Sequence, residues 1–215
     1  MNLYILRHGE TVFNLENRIQ GHLDSPLTPL GVAQAEAAAG RLAGIRFSAI
    51  FSSDSDRAYN TAQMIAQYHN QEIIKTCLLR ERCFGILEGL TRSEIDEKYP
   101  IMITKWRKNP LQTAPPEGEM PIDVIHRCQQ FLYDTLAEYE QEENILVVAH
   151  GGTMRGLVLG ALFKNPDMAW WPLLQFSNVG LSILEYGNNV SLRLMNDTSH
   201  LESMLITSTD ADNQE

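Results

Sequence analysis

The chain has 215 residues, 44% of them hydrophobic and 20% charged, which is the composition of an ordinary globular protein long enough to bury a core. The net charge of −10 argues against nucleic acid as a general partner, because phosphate backbones are held by basic surfaces. Three cysteines without metal or redox spacing, and no apolar run of the roughly 20 residues that span a bilayer, predict a cytoplasmic protein with no membrane partner.

The first part of the chain alternates short apolar runs with helical patterns. Leu3–Leu6 predicts a buried strand that ends at a charged cluster. Thr28–Leu42 predicts a helix, with Thr28 as its N-cap and a proline at the first helical position. Ala49–Phe51 predicts a second strand, and the serines and aspartates after it are expected to cap a helix from about Arg57 to Tyr68. Glu72–Lys75 is a candidate third strand.

The middle of the chain adds a loop and further helices. Thr91–Glu94 fits a capping box and opens a short helix. Pro110–Pro121 is rich in proline and predicts a loop. Ile122–Tyr139 shows the spacing of an amphipathic helix. Asn144–Ala149 predicts a buried strand, and a helix is expected over Thr153–Leu162.

The last elements complete an α/β pattern. Val179–Glu185 and Val190–Met195 predict two strands around a turn. Alternating strands and helices predict a three-layer α/β/α sandwich with a mostly parallel central sheet. We expect one domain over residues 1–206, with a lid-like segment at about 91–120 and a polar, disordered tail at 207–215.

Two histidine clusters follow predicted strands. The first is Arg7-His8-Gly9 and the second is His150-Gly151. In open α/β sheets, ligands bind at the carboxyl ends of strands. The two clusters are therefore expected to meet in space although they lie far apart in the sequence.

These residues carry a resemblance to a known family. An Arg-His-Gly tripeptide at the end of the first strand is the signature of the histidine phosphatase superfamily, also called the phosphoglycerate mutase-like family. The chain resembles this family at motifs that follow in the same order. They are Arg7-His8-Gly9; Asn14, Gln20-Gly21 and Pro26-Leu27-Thr28; Ser53, Arg57-Ala58 and Thr61-Ala62; Leu79-Arg80-Glu81 with Phe84-Gly85 and Glu88-Gly89; and His150-Gly151.

The resemblance implies a phosphoglycerate mutase-like fold and a specific role for each residue of the site. His8 would attack phosphorus and form a phosphohistidine, and the neighbouring arginines would lower its pKa and so keep it neutral. Arg7 and Arg57 would bind the phosphate oxygens. His150 would donate a further hydrogen bond. Glu81 would protonate the leaving oxygen and then accept a proton from water, and a raised pKa beside the phosphate would suit that role.

Further contacts follow from the same resemblance. Asn14, Gln20 and Gly21 are candidate substrate contacts, although ordinary loop hydrogen bonding accounts for Asn14 and Gln20 equally well. Gly151 would let the backbone approach the phosphate closely. No cofactor is predicted, and no third ligand accompanies the two histidines to complete a zinc site.

The activity has three interpretations, and the first is favoured. The compact length resembles the small phosphatase branch, such as alpha-ribazole phosphatase and broad-specificity phosphatases, which implies hydrolysis of a small phosphorylated metabolite. The alternatives are a cofactor-dependent phosphoglycerate mutase and a non-catalytic phospho-ligand binding protein. A homodimer is left open. Within the lid-like segment, the run from Lys105 to Lys108 either grips substrate or forms a solvated helix face, and the second is favoured.

Overall fold

A computed structural model describes residues 1–136, 138–139 and 143–201 of the chain. The predicted tail at 207–215 lies outside the described residues, as does the end of the predicted domain beyond Leu201.

The described residues form one six-stranded mixed sheet in the order β3-β2-β4-β1-β5-β6. Strands β1 to β4 run parallel to one another, and β5 and β6 add an antiparallel edge. The strands are β1 (Asn2–Arg7), β2 (Ala49–Ser53), β3 (Ile73–Thr76), β4 (Asn144–Ala149), β5 (Leu181–Tyr186) and β6 (Val190–Asp197). The predicted sandwich with a mostly parallel sheet is confirmed.

Seven α-helices connect and cover these strands within the described ranges. They are α1 (Val12–Leu15), α2 (Pro29–Leu42), α3 (Asp56–Ala66), α4 (Arg92–Lys98), α5 (Pro100–Trp106), α6 (Pro121–Leu136) and α7 (Gly151–Leu162). None of the described helices is long and apolar enough to cross a membrane.

Alternation along the strands divides the core between the two faces of the sheet. On β1, Leu3 and Ile5 pack into the layer formed with α6 and α7, whereas Leu6 packs into the layer formed with α2 and α3. Ile145 and Leu146 of β4 divide in the same way. Side chains of a strand point alternately to its two faces, so these continuous apolar runs are buried on both sides.

One short helix was not predicted from the sequence, and a second was expected only as a solvated helix face near Lys105–Lys108. Helix α1 spans only four residues, and its capping box uses Asn14 where the usual pattern has Glu or Gln. Helix α5 starts at Pro100, directly after the end of α4, where Tyr99-Pro100 resembles a break in the helix. Several predicted boundaries also shift; among them, α3 spans Asp56–Ala66, α6 ends at Leu136, α7 begins at Gly151 and β5 begins at Leu181.

The segment predicted as a lid forms a separate small core. Trp106 is 8% exposed and packs with Ile19, Phe84 and Ile103. Its flanking cations, residues 105, 107 and 108, are exposed. The favoured interpretation of this run, a solvated helix face, therefore fits its cations, whereas the tryptophan is part of a hydrophobic core.

Candidate active site

The two histidine clusters meet because their strands are neighbours in the sheet. β1 pairs with β4 in parallel, with Arg7 opposite Ala149. The His8 amide then donates to the Ala149 carbonyl at 3.0 Å. As a result, the rings of His8 and His150 lie edge to face, with centroids 5.2 Å apart.

A short hydrogen bond fixes the tautomer of His8. Its Nδ1 lies 2.7 Å from the carbonyl oxygen of Gly9. A carbonyl oxygen only accepts, so Nδ1 carries the proton and donates it. The lone pair of the neutral ring therefore lies on Nε2, which is the atom able to attack an electrophile.

Burial and charge both keep the two rings neutral. Burial is the main cause that holds the pKa of His8 well below its ordinary value, and the nearby Arg57 and Arg7 lower the pKa further. Burial also lowers the pKa of His150, followed by the charge of Arg57 and the proximity of His8. The site therefore presents two uncharged imidazoles beside two guanidinium groups.

Arg57 enters this site from the first turn of α3, and a distant carboxylate holds it. Its Nη1 donates to the Leu23 carbonyl (2.9 Å) and to Asp24 Oδ1 (3.0 Å), and its Nη2 donates to the Gly21 carbonyl (2.8 Å). Within the described chain, its buried Nε has no hydrogen-bond partner. That N–H is the part of the fork available to an oxyanion.

The cap of α3 differs from the one predicted. Ser55 occupies the N-cap position but makes no side-chain cap bond. Instead, the Asp24 carboxylate accepts from the amide of Asp56 and, at 3.4 Å, from that of Arg57. The sequence gives no local sign of this, because the capping residue lies more than thirty positions away.

Arg7 and Gly151 lie against each other. The Arg7 Nη1 donates to the Phe176 carbonyl at 2.6 Å, which fixes the guanidinium. A Cβ on Gly151 would be 3.7 Å from Arg7 Cζ, which is ordinary contact distance. Gly151 opens α7 directly after His150, so the start of a helix faces the same region.

Glu81 reaches the site through α7. Its Oε2 accepts from the Gly152 amide at 3.1 Å, and its Oε1 accepts from the Arg82 amide at 2.7 Å. Its charge also raises the pKa of Arg57, although burial lowers that pKa overall. The Glu81 carboxylate is thus bound by an amide two positions after His150 in the chain, and its charge acts on Arg57.

Several buried polar atoms of the site have no hydrogen-bond partner among the described residues. Neither ring nitrogen of His150 has a hydrogen-bond partner among the residues that the structure describes, although the side chain is fully buried. Gln20 Oε1 is likewise buried without a partner in these ranges. Buried polar groups are normally paired, so these atoms are the ones in the site that a bound ligand could satisfy.

The remaining predicted contacts differ in what their side chains do. The Asn14 Oδ1 accepts from Thr11 in the capping box of α1 and, at 3.3 Å, from Asn178 Nδ2. Gly21 presents its carbonyl to Arg57, as described above, and adopts a φ of 54°. Of these residues, Asn14 therefore has a structural role whatever it binds.

Two residues that hold the His8 loop were given no role from the sequence. Asn178 Nδ2 donates to the His8 carbonyl at 3.0 Å. Thr61 Oγ1 accepts from the Gly9 amide (3.1 Å) and donates to the Arg57 carbonyl (2.8 Å), so it joins the first strand to α3. Thr61 lies in a recognised motif, whereas no pattern in the sequence marks Asn178.

His22 and Arg127 also meet the Glu81 segment. His22 Nε2 lies 3.0 Å from the Glu81 carbonyl, and Arg127 Nη2 donates to the same oxygen at 3.1 Å. In the part of the chain that is described, no group of three or more His, Cys, Asp or Glu side chains could hold a metal ion.

Comparison with known proteins decides the family. A family model described as the histidine phosphatase superfamily (branch 1) matches residues 3–198. The chain belongs to the histidine phosphatase superfamily. The predicted resemblance and the predicted enzyme family are therefore confirmed.

Relatives within the superfamily carry both phosphatase and mutase names. A probable phosphoglycerate mutase of Proteus mirabilis is 32% identical over 96% of this chain and 97% of that protein. The structure of mycobacterial glucosyl-3-phosphoglycerate phosphatase complexed with VO3 matches with a TM-score of 0.82 and 33% identity, covering 92% of this chain and 99% of that one. A putative alpha-ribazole-5'-P phosphatase of Escherichia coli matches with a TM-score of 0.85 and 25% identity, over 92% and 96%.

Proposed function

We propose that this protein is a phosphomonoester hydrolase that works through a phosphohistidine at His8. The observation that carries the proposal is the His8 ring, whose Nδ1–H is bound to Gly9 and whose Nε2 is kept unprotonated beside two arginines. A neutral imidazole with a fixed lone pair is a nucleophile, and the adjacent cations attract a phosphate dianion to it.

The proposed reaction has two steps, transfer of the phosphoryl group to His8 and hydrolysis of the phosphohistidine. In the first, His8 Nε2 forms a bond to phosphorus as the bond to the ester oxygen breaks, and Glu81 gives that oxygen a proton. In the second, water attacks the phosphohistidine, Glu81 takes a proton from it, and the N–P bond breaks to release inorganic phosphate. The Gly152 amide that binds the Glu81 carboxylate supports this role, because it holds the acid beside the His150 end of the site.

Three side chains are assigned to bind the phosphoryl group directly. Arg7, Arg57 and His150 would surround its oxygens, and the Arg57 Nε–H and a ring N–H of His150, which bond to no other described residue, would donate to them. Asn14, Gln20, Gly21 and Gly151 would add secondary contacts. Charge spreads over these oxygens in the transition state, so fixed cations supply much of the catalysis.

We propose that hydrolysis requires no metal ion. The two guanidinium groups supply the positive charge that a metal supplies in other phosphotransfer sites. We further propose a cytoplasmic enzyme acting on small phosphate esters, with no nucleic-acid or membrane partner; a homodimer stays open. Residues 1–206 are proposed as one domain, with substrate choice in the segment 91–120.

The mutase alternative shares the phosphohistidine and differs in what accepts the phosphoryl group. One assay set separates the three interpretations: the protein is incubated with p-nitrophenyl phosphate or 3-phosphoglycerate, with and without EDTA, beside His8→Ala. We expect phosphate release that survives EDTA and is lost in His8→Ala. Isomer interconversion without net release would favour the mutase, and tight ester binding without turnover would favour the non-catalytic binding protein.

A further inference from the structure

The guanidinium of Arg57 depends on one loop for its position. All three of its side-chain bonds described above go to the loop of residues 21–24. The Arg57 side chain is fully buried, whereas that of Asp24 is 31% exposed. Any movement of this loop would therefore carry the arginine away from a bound phosphoryl group.

A carboxylate outside the candidate site holds the same loop. Glu88 Oε1 accepts from the His22 amide at 3.0 Å and from the Phe84 amide at 2.8 Å. Its Oε2 accepts from the Leu23 amide at 3.1 Å. One side chain therefore joins the Arg57 loop to the segment that follows Glu81.

The loop and this carboxylate are also packed tightly. Gly21 adopts a φ of 54°, and a Cβ there would lie 2.1 Å from Glu88 Oε1. The absence of a side chain at residue 21 is thus what lets the carboxylate reach the neighbouring amides.

We propose that Glu88 is a positioning residue that sets the place of Arg57 through the loop of residues 21–24. The inference rests on the proposed function, since it assigns Arg57 to the phosphoryl group. Glu88 binds three backbone amides as an acceptor only, which suits an ionised carboxylate. A glutamine there would have to turn its NH2 toward amide donors, so it would release at least one of them.

The test is a double-mutant cycle between Glu88→Gln and Arg57→Ala. We measure kcat/KM for p-nitrophenyl phosphate, and the Kd of inorganic phosphate by calorimetry. Glu88→Gln alone should lower kcat/KM about tenfold and weaken phosphate binding several-fold. In the Arg57→Ala background the same change should alter kcat/KM less than about twofold. Equal losses in the two backgrounds, or no loss in either, would overturn the proposal.

A matched control separates positioning from general stability. Glu94 also accepts from a backbone amide, that of Thr91 at 2.8 Å, but it binds Arg18 and none of residues 21–24. Glu94→Gln should therefore leave phosphate binding unchanged, and a loss equal to that of Glu88→Gln would contradict the assignment. If Glu88→Gln does not fold, Glu88→Asp is scored by the same cycle. Phosphate binding needs no turnover, so a protein that binds phosphate without hydrolysis refutes the proposed function and still reports on Glu88.

Discussion

At the scale of single residues, the proposed nucleophile His8 must be shielded from water and must keep its Nε2 unprotonated near neutral pH. Burial excludes water and also disfavours the protonated ring, so the two requirements agree. The structure meets both, because desolvation and the adjacent arginines act in the same direction on the His8 pKa. The Gly9 carbonyl opposes them slightly and also selects the tautomer.

The lowered pKa predicts that the free protein keeps His8 neutral under mildly acidic conditions. We expect the ¹⁵N resonances of its ring to show Nδ1 protonated and Nε2 unprotonated, with no inflection as pH falls through about 6.5, the ordinary histidine value. A titration of His8 near the ordinary value would contradict this electrostatic description.

The roles of residues with suitable chemistry could be predicted from the sequence, whereas the roles of the residues that position them could not. His8, Arg57 and His150 belong to motifs whose residue types suit phosphate chemistry, and the structure brings them together. Asn178, which lies in no motif, and Glu88, which lies in the Glu88-Gly89 motif but was given no role, act through backbone groups of distant segments. Such contacts depend on how loops fold against each other, and no local pattern encodes them.

At the scale of elements, the start of α7 is where the fold places the proposed acid. The Gly152 amide binds Glu81, and a Cβ at residue 152 would lie 2.3 Å from Glu81 Oε1. This glycine lies in the first turn of the helix, where alanine would otherwise be tolerated well. The absence of a side chain at residue 152 therefore makes room for the Glu81 carboxylate and is not needed for the helix itself.

Gly152→Ala should separate activity from stability. The new methyl group displaces the Glu81 carboxylate, and we expect kcat/KM to fall by roughly 100-fold, the scale of a displacement of about 1 Å in a catalytic group. The melting temperature should change little, because alanine favours helix. Gly40→Ala in α2 is the control, since its Cβ would meet nothing within 4 Å. Unchanged activity in Gly152→Ala would argue against a catalytic Glu81.

Elements with strong periodicity or clear local caps could be predicted, whereas a cap supplied by a distant segment and the bounds of short helices could not. Helix α2 has the predicted Thr28 cap, whose side chain accepts from the Gly31 amide. Helix α3 was predicted from its pattern, but Asp24 caps it from another loop. For helix α5, only a solvated face was expected; its buried side escaped prediction because Ile103 and Trp106 pack into a small separate core.

At the scale of the whole molecule, the end of β6 and the residues directly after it are bound to α2 through Arg41. Arg41 donates to His200 Nδ1 at 2.9 Å, binds Asp197 and contacts Ser199 at 3.3 Å. Burial and the charge of Arg41 lower the pKa of His200 to about 4. This connection holds the chain beyond β6 against the helical layer.

The lowered pKa gives the connection a defined pH dependence. The contribution of neutral His200 to the free energy of unfolding is fully present above its unfolded pKa of about 6.5 and is lost as pH falls toward 4. His200→Asn keeps an acceptor for Arg41 without titrating. Urea unfolding should therefore show the stability advantage of the wild type over this variant shrinking between about pH 7 and pH 4.5. A constant difference across that range would refute the assignment.

The sheet as a whole shows why residues so far apart in sequence can meet. β1 and β4 are neighbours, so His8 and His150 leave the same edge, and β2 delivers α3 with Arg57 from the other side of β4. The mostly parallel order could be predicted from alternating elements, whereas the position of each strand in the sheet could not. The order depends on packing between distant segments.

The central claim, transfer of a phosphoryl group to His8, is tested most directly by trapping that group. The protein and its Glu81→Gln variant are mixed with ³²P-labelled p-nitrophenyl phosphate and quenched in alkali; this leaving group departs without a proton from Glu81, so the variant should slow mainly hydrolysis of the intermediate. We predict an acid-labile label on the peptide that contains His8, stronger in Glu81→Gln and absent in His8→Ala. Turnover without any trapped label, or a label on another residue, would contradict this mechanism.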